Sequence, residues 1–385
     1  MSHERRDPAN HASNTPVKSS HWRHSCYWLL AGVIGGATLA AIGLALLALF
    51  VLSPRRSAGE LTGNDLRPTP TTQTPLTTLS PVPPTHTPLP TQAETTAESA
   101  STPTDTAAGP LPPSEPAGRI VFTCFNAGFD DICSMNADGS NQRRLTSAAA
   151  TDFYPEWGPL GDLIIFSSRR DGAFRLYLMD AEGRGLSRVG PDAGSHFAPD
   201  ISPDGARIVF ANAVQGPEGR RQHIWVMDID GGNLQQLTSG PFNDIDPVWS
   251  PDGARIAFAS DRGWRPAHWI MNADGSDMTM LPDNVPQHGG RSDWSPDGRW
   301  LAFYAGPRDD RDIYLVATDG SGASRRLTFG GRNLAPSFSP DGQWITFTSY
   351  REGDDAEIFI MRPDGSDVRQ LTFNERADWQ PRWGP

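Results

Sequence analysis

The chain has 385 residues, of which 37% are hydrophobic, and its 45 acidic and 33 basic side chains give a formal net charge of −12 at pH 7. This charge disfavours nucleic acid or an anionic membrane surface as a partner. The length allows two average domains or one large all-β domain, and the 38 glycines and 35 prolines indicate many turns, a proline-rich linker, or both.

The N-terminal part contains one long apolar segment. Residues 1–26 form a polar tail, whereas residues 27–52 carry no charged side chain. At about 1.5 Å per residue, this segment spans the roughly 30 Å hydrocarbon core of a bilayer, and it is longer than the apolar region of a cleaved signal peptide. We therefore expect a single-pass signal anchor over 27–52. Basic residues flank it on both sides, so the positive-inside rule does not orient it.

Residues 53–117 are rich in Thr and Pro and contain no aromatic side chain, so they cannot build a core. They predict a disordered stalk between the membrane and an external domain. This arrangement favours an extracytoplasmic position for the remaining chain, at the periplasmic side or the cell surface.

From residue 118 to residue 385, short apolar runs recur with a period of about 44 to 48 residues. The runs are Ile120–Phe122, Ile164–Phe166, Ile208–Phe210, Ile256–Phe258, Leu301–Phe303 and Ile345–Phe347. A repeat of this length is close to that of a four-stranded propeller blade.

Each unit continues with a second apolar run that carries an aromatic residue, an Asp-Gly turn, and in most units a Leu-Thr pair. The tetrapeptide Ser-Pro-Asp-Gly predicts a tight hairpin, because Pro presets φ, Asp caps the turn and Gly takes the positive φ. It occurs at Ser202–Gly205, Ser250–Gly253, Ser295–Gly298 and Ser339–Gly342. The aromatic column is expected to pack blade against blade; its members are Tyr177, Trp225, Trp269, Tyr314 and Phe359.

Six such units predict an all-β, six-bladed propeller with four-stranded blades over 118–385. The domain opens on the second strand of a unit and closes on an orphan first strand at 378–383, so one terminus can complete the blade of the other.

These units resemble the TolB-like, WD-like repeat family, for example in the stretch from Ile208 to Gly253. The resemblance covers essentially all of residues 118–385. It implies a propeller that binds proteins or peptides at the faces of its ring and at its central channel. TolB itself carries an α/β domain ahead of its propeller, and here the anchor and stalk stand in that place.

One column of polar residues is the candidate ligand-binding site. Its members lie three residues before the proline of each inner strand, and their side chains are expected to ring one mouth of the channel. The fourth unit lacks this proline, and its local polar residues are His288 and Arg291. The column is Asp152, His196, Asp244, His288, Asn333 and Asp378. Carboxylates with His and Asn can accept a cationic ligand, a peptide amine or a metal ion.

The sequence contains neither a nucleophile elbow of the Gly-x-Ser-x-Gly type nor His or Cys pairs at zinc spacing. We therefore expect a non-enzymatic binding or scaffolding module without a cofactor, and the alternatives are a metal-dependent lyase or hydrolase acting in the channel, or a purely structural spacer. Cys133 takes the place of the aromatic residue in its unit and pairs with Cys124 either as a disulfide or as two buried thiols.

Overall fold

The computed structural model describes residues 115–385, apart from positions 127, 218, 264, 283 and 286. The predicted tail (1–26), the predicted anchor (27–52) and the stalk up to residue 114 lie outside these residues. Within the described part of the chain, no helix has the length and apolar character needed to cross a membrane.

The described residues form 24 strands. The first twelve are β1 (Arg119–Asn126), β2 (Phe129–Asn136), β3 (Arg143–Arg144), β4 (Asp152–Trp157), β5 (Leu163–Asp171), β6 (Ala173–Asp180), β7 (Ser187–Val189), β8 (His196–Ile201), β9 (Arg207–Gly216), β10 (Gly219–Asp228), β11 (Gln235–Gln236) and β12 (Asp244–Trp249). The others are β13 (Arg255–Ser260), β14 (Ala267–Asn272), β15 (Thr279–Met280), β16 (His288–Trp294), β17 (Trp300–Ala305), β18 (Asp312–Ala317), β19 (Ser324–Arg326), β20 (Asn333–Phe338), β21 (Ile345–Ser349), β22 (Glu357–Met361), β23 (Arg369–Gln370) and β24 (Asp378–Gly384).

These strands make six antiparallel four-stranded sheets, which we number as blades 1 to 6. Blades 1 to 5 are the consecutive groups β4–β7, β8–β11, β12–β15, β16–β19 and β20–β23, and blade 6 joins β24 to β1–β3. The first strand of each blade contacts the first strands of both neighbouring blades, which closes a ring around a central channel. The predicted six-bladed propeller is confirmed.

The two ends of the domain close the ring. Strand β24 pairs with β1 so that Gly384 lies opposite Arg119, and the Trp383 indole donates to the Ala117 carbonyl oxygen over 2.8 Å. We call the end of the channel at which the inner strands begin the mouth. Because β24 runs from the mouth at Asp378 to Gly384, the chain enters the propeller at the face opposite the mouth.

The core is divided among the blade boundaries: one apolar cluster fills each of the six interfaces between neighbouring blades. The second strand of every blade contributes one phenylalanine that is at most 2% exposed. These residues are Phe122, Phe166, Phe210, Phe258, Phe303 and Phe347. Burying one such ring contributes roughly 1.5–3 kcal/mol, so the repeated apolar runs explain why the blades pack.

The aromatic column lies on the third strand, directly opposite these phenylalanines. Tyr177 pairs with Phe166, and Trp269 pairs with Phe258. All five members belong to the clusters between blades, as the sequence predicts. In blade 6, Cys133 lies opposite Phe122 and forms a disulfide with Cys124, two residues further along β1 on the same face.

The recurrent turn motifs have the expected local chemistry. In the hairpin at Ser250–Gly253, the Ser250 hydroxyl donates to the Asp252 carboxylate and accepts the Arg255 backbone N–H (2.9 Å), while Gly253 has a φ of +67°. The Leu-Thr pairs have a role that the sequence does not reveal. Their threonine hydroxyls accept a buried backbone N–H of the third strand, as Thr238 does from Ile224 (2.9 Å).

Candidate functional site

The six predicted ring residues begin the six inner strands, and all six are buried, with exposed fractions from 0% to 8%. Their role in ligand binding stays a prediction. Each of them has at least one polar partner in its own blade or a neighbouring one, although the buried His196 Nδ1 atom has none.

An Arg-Ser pair on the neighbouring strand holds the ring residue in blades 1, 3 and 5. The Arg170 guanidinium lies 3.1 Å from the Asp152 carboxylate. In blade 3, Ser260 and Arg262 donate to Asp244 over 2.6 and 3.2 Å. Sequence reasoning missed these arginines, although a signal was present: a Ser-x-Arg triplet begins at or near the end of the second strand in these three units, at Ser168–Arg170, Ser260–Arg262 and Ser349–Arg351.

The other three ring residues have different partners. The His196 ring lies 3.0 Å from the Ala193 carbonyl oxygen, and burial lowers its pKa to about 4. His288 contacts the buried His268, with 3.0 Å between the two Nδ1 atoms. The Asn374 side-chain amide donates to Asp378 over 2.6 Å, but burial prevails and raises the pKa of this carboxyl to about 7.

After the ring residue, each inner strand contains a β-bulge. In five blades the register shifts over the next positions, and the second residue after the ring residue takes the left-handed conformation, with φ between +47° and +55°. These residues are Tyr154, Ala198, Asp246, Ala335 and Gln380. Left-handed non-glycine residues are costly and concentrate at functional sites, where bulges redirect side chains.

The residue between the ring residue and the bulge is apolar and half-buried in the same five blades. We call these five side chains the rim: Phe153, Phe197, Ile245, Leu334 and Trp379. The Phe153 ring lies 5.7 Å from Trp379 and 5.9 Å from Phe174 of the adjoining hairpin. Phe174 lies 5.0 Å from Phe197, so an aromatic arc extends over blades 6, 1 and 2.

Blade 4 departs from this pattern. Its inner strand has one residue more, and glycines replace the apolar side chain. A Cβ atom on Gly289 would lie 1.8 Å from the ring of Tyr304, so Tyr304 fills the place of a rim side chain.

Two arginines cross the channel below the rim. Arg291 of blade 4 reaches the opposite blade 1, where it donates to the Pro155 carbonyl oxygen over 3.0 Å and lies 3.4 Å from the Glu156 carboxylate. Arg382 of blade 6 lies 2.7 Å from the same carboxylate and donates to the Ser292 carbonyl oxygen over 3.0 Å. Arg291, Arg382 and Glu156 therefore close the channel and form the floor of a cup whose upper edge is the rim.

At the level of the floor, two further carboxylates make hydrogen bonds between neighbouring blades. The Trp249 backbone N–H donates to Asp200 over 2.6 Å, and the Phe338 backbone N–H donates to Asp293 over 2.8 Å. Burial raises the pKa of each carboxyl, and for Asp293 the Arg382 guanidinium opposes that rise. Burial also lowers the pKa of Arg291 to about 10.

Between rim and floor, the wall of the cup consists of Tyr154, Asp246, Tyr304 and Gln380, all half-buried. The Tyr154 backbone N–H donates to the Gln380 side-chain oxygen over 3.1 Å. Burial raises the pKa of both tyrosines and of Asp246.

The alternative of a metal-dependent lyase or hydrolase needs a metal site. Among the residues that the structure describes, no three His, Cys, Asp or Glu side chains are placed to hold an ion. The fold and its mouth define a six-bladed propeller whose channel is crossed by buried charged side chains and edged by apolar ones.

The sequence profile of the TolB β-propeller domain matches residues 94–218, 185–284 and 281–385, which is more than half of the chain. The chain belongs to this family. An uncharacterised protein of Agrobacterium fabrum is 40% identical over 125 residues, which are 31% of this chain and 40% of that protein, so the match spans less than half the length of this relative.

Two solved structures have the same fold. TolB from Acinetobacter baumannii is 23% identical with a TM-score of 0.61, over 70% of this chain and 67% of that one. A putative TolB from Agrobacterium tumefaciens is 22% identical with a TM-score of 0.54, over 70% of this chain and 99% of that one.

Proposed function

We propose that the chain is a membrane-anchored, extracytoplasmic binding propeller that recognises a protein or peptide at its mouth. Residues 27–52 provide the anchor and residues 53–117 the stalk. The Cys124–Cys133 disulfide supports the location, because disulfides persist mainly outside the cytoplasm.

The observation that carries this proposal is the rim. Five half-buried apolar side chains, two of them phenylalanines and one a tryptophan, surround a polar cup. Apolar anchors around convergent polar groups are the usual make-up of a recognition site, and aromatic residues dominate binding hot spots. The ring residues, each of which directly precedes a rim residue in these five strands, support the rim by fixing the start of the inner strand.

The test is capture of partners from membrane and envelope extract by the full chain in detergent. We expect the double variant Phe153→Ala with Trp379→Ala to lose a partner that the parent captures, since truncating a hot-spot aromatic costs about 2 kcal/mol or more. Leu160→Ala is the matched control, because Leu160 is 81% exposed in the turn at the opposite face. Equal capture by the parent and the double variant would exclude the mouth as the binding surface.

A further inference from the structure

Asp246 differs from the other carboxylates of the channel. Glu156 is paired with Arg382, and Asp200 and Asp293 each accept a backbone N–H from the next blade. The Asp246 side chain has no hydrogen bond or ion pair within the described residues, and it is only half-buried. A carboxylate in this position is an acceptor that faces the cup without a donor.

The backbone keeps Asp246 in this state. Its φ of +52° belongs to the bulge that redirects the side chain. Gly290 lies on β16, the inner strand of the neighbouring blade 4. A Cβ atom at this position would lie 1.9 Å from Asp246 Oδ2, so only glycine leaves room for the carboxylate there. The Arg291 guanidinium, whose charge acts on Asp246, donates to the Pro155 carbonyl oxygen on blade 1 and makes no hydrogen bond or ion pair with Asp246.

A second group in the cup, the Arg291 guanidinium, has hydrogen-bond donors without acceptors. The Arg291 side chain is 4% exposed, and its Nε and Nη1 atoms have no hydrogen-bond acceptor. An unsatisfied buried donor costs roughly 1–3 kcal/mol. The cup therefore presents one free carboxylate acceptor and one set of free donors.

The free acceptor of the cup decides what can occupy it. Among the described residues, Arg382 lies 2.7 Å from Glu156 and 3.6 Å from Asp293, and Asp200 accepts the Trp249 backbone N–H, so Asp246 is the channel carboxyl left without a donor. An ammonium group can donate to it, whereas an added carboxylate or phosphate oxygen cannot.

We infer that the cup binds a protonated amine carried by a peptide, either its amino terminus or a lysine side chain, with the ammonium at Asp246 and a peptide carbonyl oxygen at Arg291. This inference rests on the proposed function and names the chemical group that the mouth recognises. The rim would then contact the apolar part of the same peptide.

The test is calorimetric titration of the full chain in detergent with three peptides that share one aromatic residue. The first has a free amino terminus, the second is the same peptide N-acetylated, and the third is the acetylated peptide with one lysine. We expect the first or the third to bind at least about tenfold more tightly than the second, because a desolvated charge pair contributes on this scale. The peptide that binds identifies the source of the amine.

In Asp246→Asn, which keeps the shape of the side chain, the preference for the amine should disappear. Asp309→Asn removes an exposed charge from another loop and should preserve it. Persistence of the preference in Asp246→Asn, or absence of amine-dependent binding in the parent, overturns the inference. If all three peptides bind the parent equally and lose affinity in Trp379→Ala, the inference fails while the proposed function stands.

Discussion

A polar side chain at the start of each inner strand is buried against partners of its own blade or of the preceding one. Asp152 and Asp244 are held by arginines, and their burial is compensated. Asp378 has an amide donor and, among the described residues, no ion pair with an arginine; burial raises its pKa to about 7. The same position in the fold therefore holds carboxyls with different neighbours, an arginine for Asp152 and Asp244 and an amide for Asp378.

Asp378 should make stability depend on pH. Its folded-state pKa of about 7 lies above the ordinary 3.8, so between these values the folded protein retains a proton that the unfolded chain has lost. The stability that the protonated Asp378 carboxyl contributes is complete below about pH 4 and is lost as pH rises to 7. Asp378→Asn stays neutral, and Asn333 shows that Asn fits this position. We expect the free energy of unfolding of this variant, relative to the parent, to increase by more than about 1 kcal/mol between pH 5 and pH 8.

Denaturant titrations at both pH values measure this difference. Asp309→Asn, at an exposed site, should follow the parent at both values. A constant difference between Asp378→Asn and the parent would show that Asp378 is already ionised at pH 5.

The position of the ring residues could be predicted from sequence, but their surroundings could not. A period of about 44 to 48 residues locates the start of each inner strand, because turns and apolar runs are local signals. The cup depends on contacts across the ring: Arg291 meets Glu156 across 135 positions of sequence. Neither the missing proline at Arg291 nor the paired glycines before it reveals which blade the side chain reaches.

At the scale of the strand, the Leu-Thr pairs attach the short outer strand to its blade. Strand β11 has two residues, Gln235–Gln236, and the Thr238 hydroxyl that follows accepts the Ile224 N–H of β10. Thr238 is 3% exposed, so water does not replace its hydroxyl. Repetition of this contact in four blades explains why the pair recurs in the sequence.

Thr238→Val preserves the shape of the side chain but leaves the Ile224 N–H without an acceptor. The expected loss is about 1–3 kcal/mol in the free energy of unfolding, with faster hydrogen exchange at the Ile224 amide. Thr279→Val, at an exposed position of the outer strand β15, should change stability by less than about 0.5 kcal/mol. Unchanged protection of the Ile224 amide in Thr238→Val would contradict the role of the hydroxyl.

For the whole molecule, closure of blade 6 determines whether there is a ring. Strand β24 shields the edge of β1, and its C-terminal Gly384 packs against Trp157 of blade 1. An open edge of this length invites pairing with another chain.

A variant that ends at residue 377 should therefore unfold at lower denaturant concentration and self-associate. A circular permutant that joins residue 385 to residue 118 by a short glycine linker and opens between residues 147 and 151 should keep the stability of the parent, because the natural ends lie side by side. Analytical ultracentrifugation and denaturant titration distinguish the two. A monomeric and equally stable truncated variant would mean that β24 is dispensable.

The position of β1 also bears on mechanical load. In a protein held at its N terminus and pulled by a partner at the mouth, as we propose, the force enters at Arg119 and runs along β1. That strand lies inside its sheet, between β24 and β2, with paired residues on both sides. The load therefore shears two hydrogen-bond ladders together instead of peeling one open bond by bond, and the propeller should withstand a pull in this direction better than one applied at a blade edge.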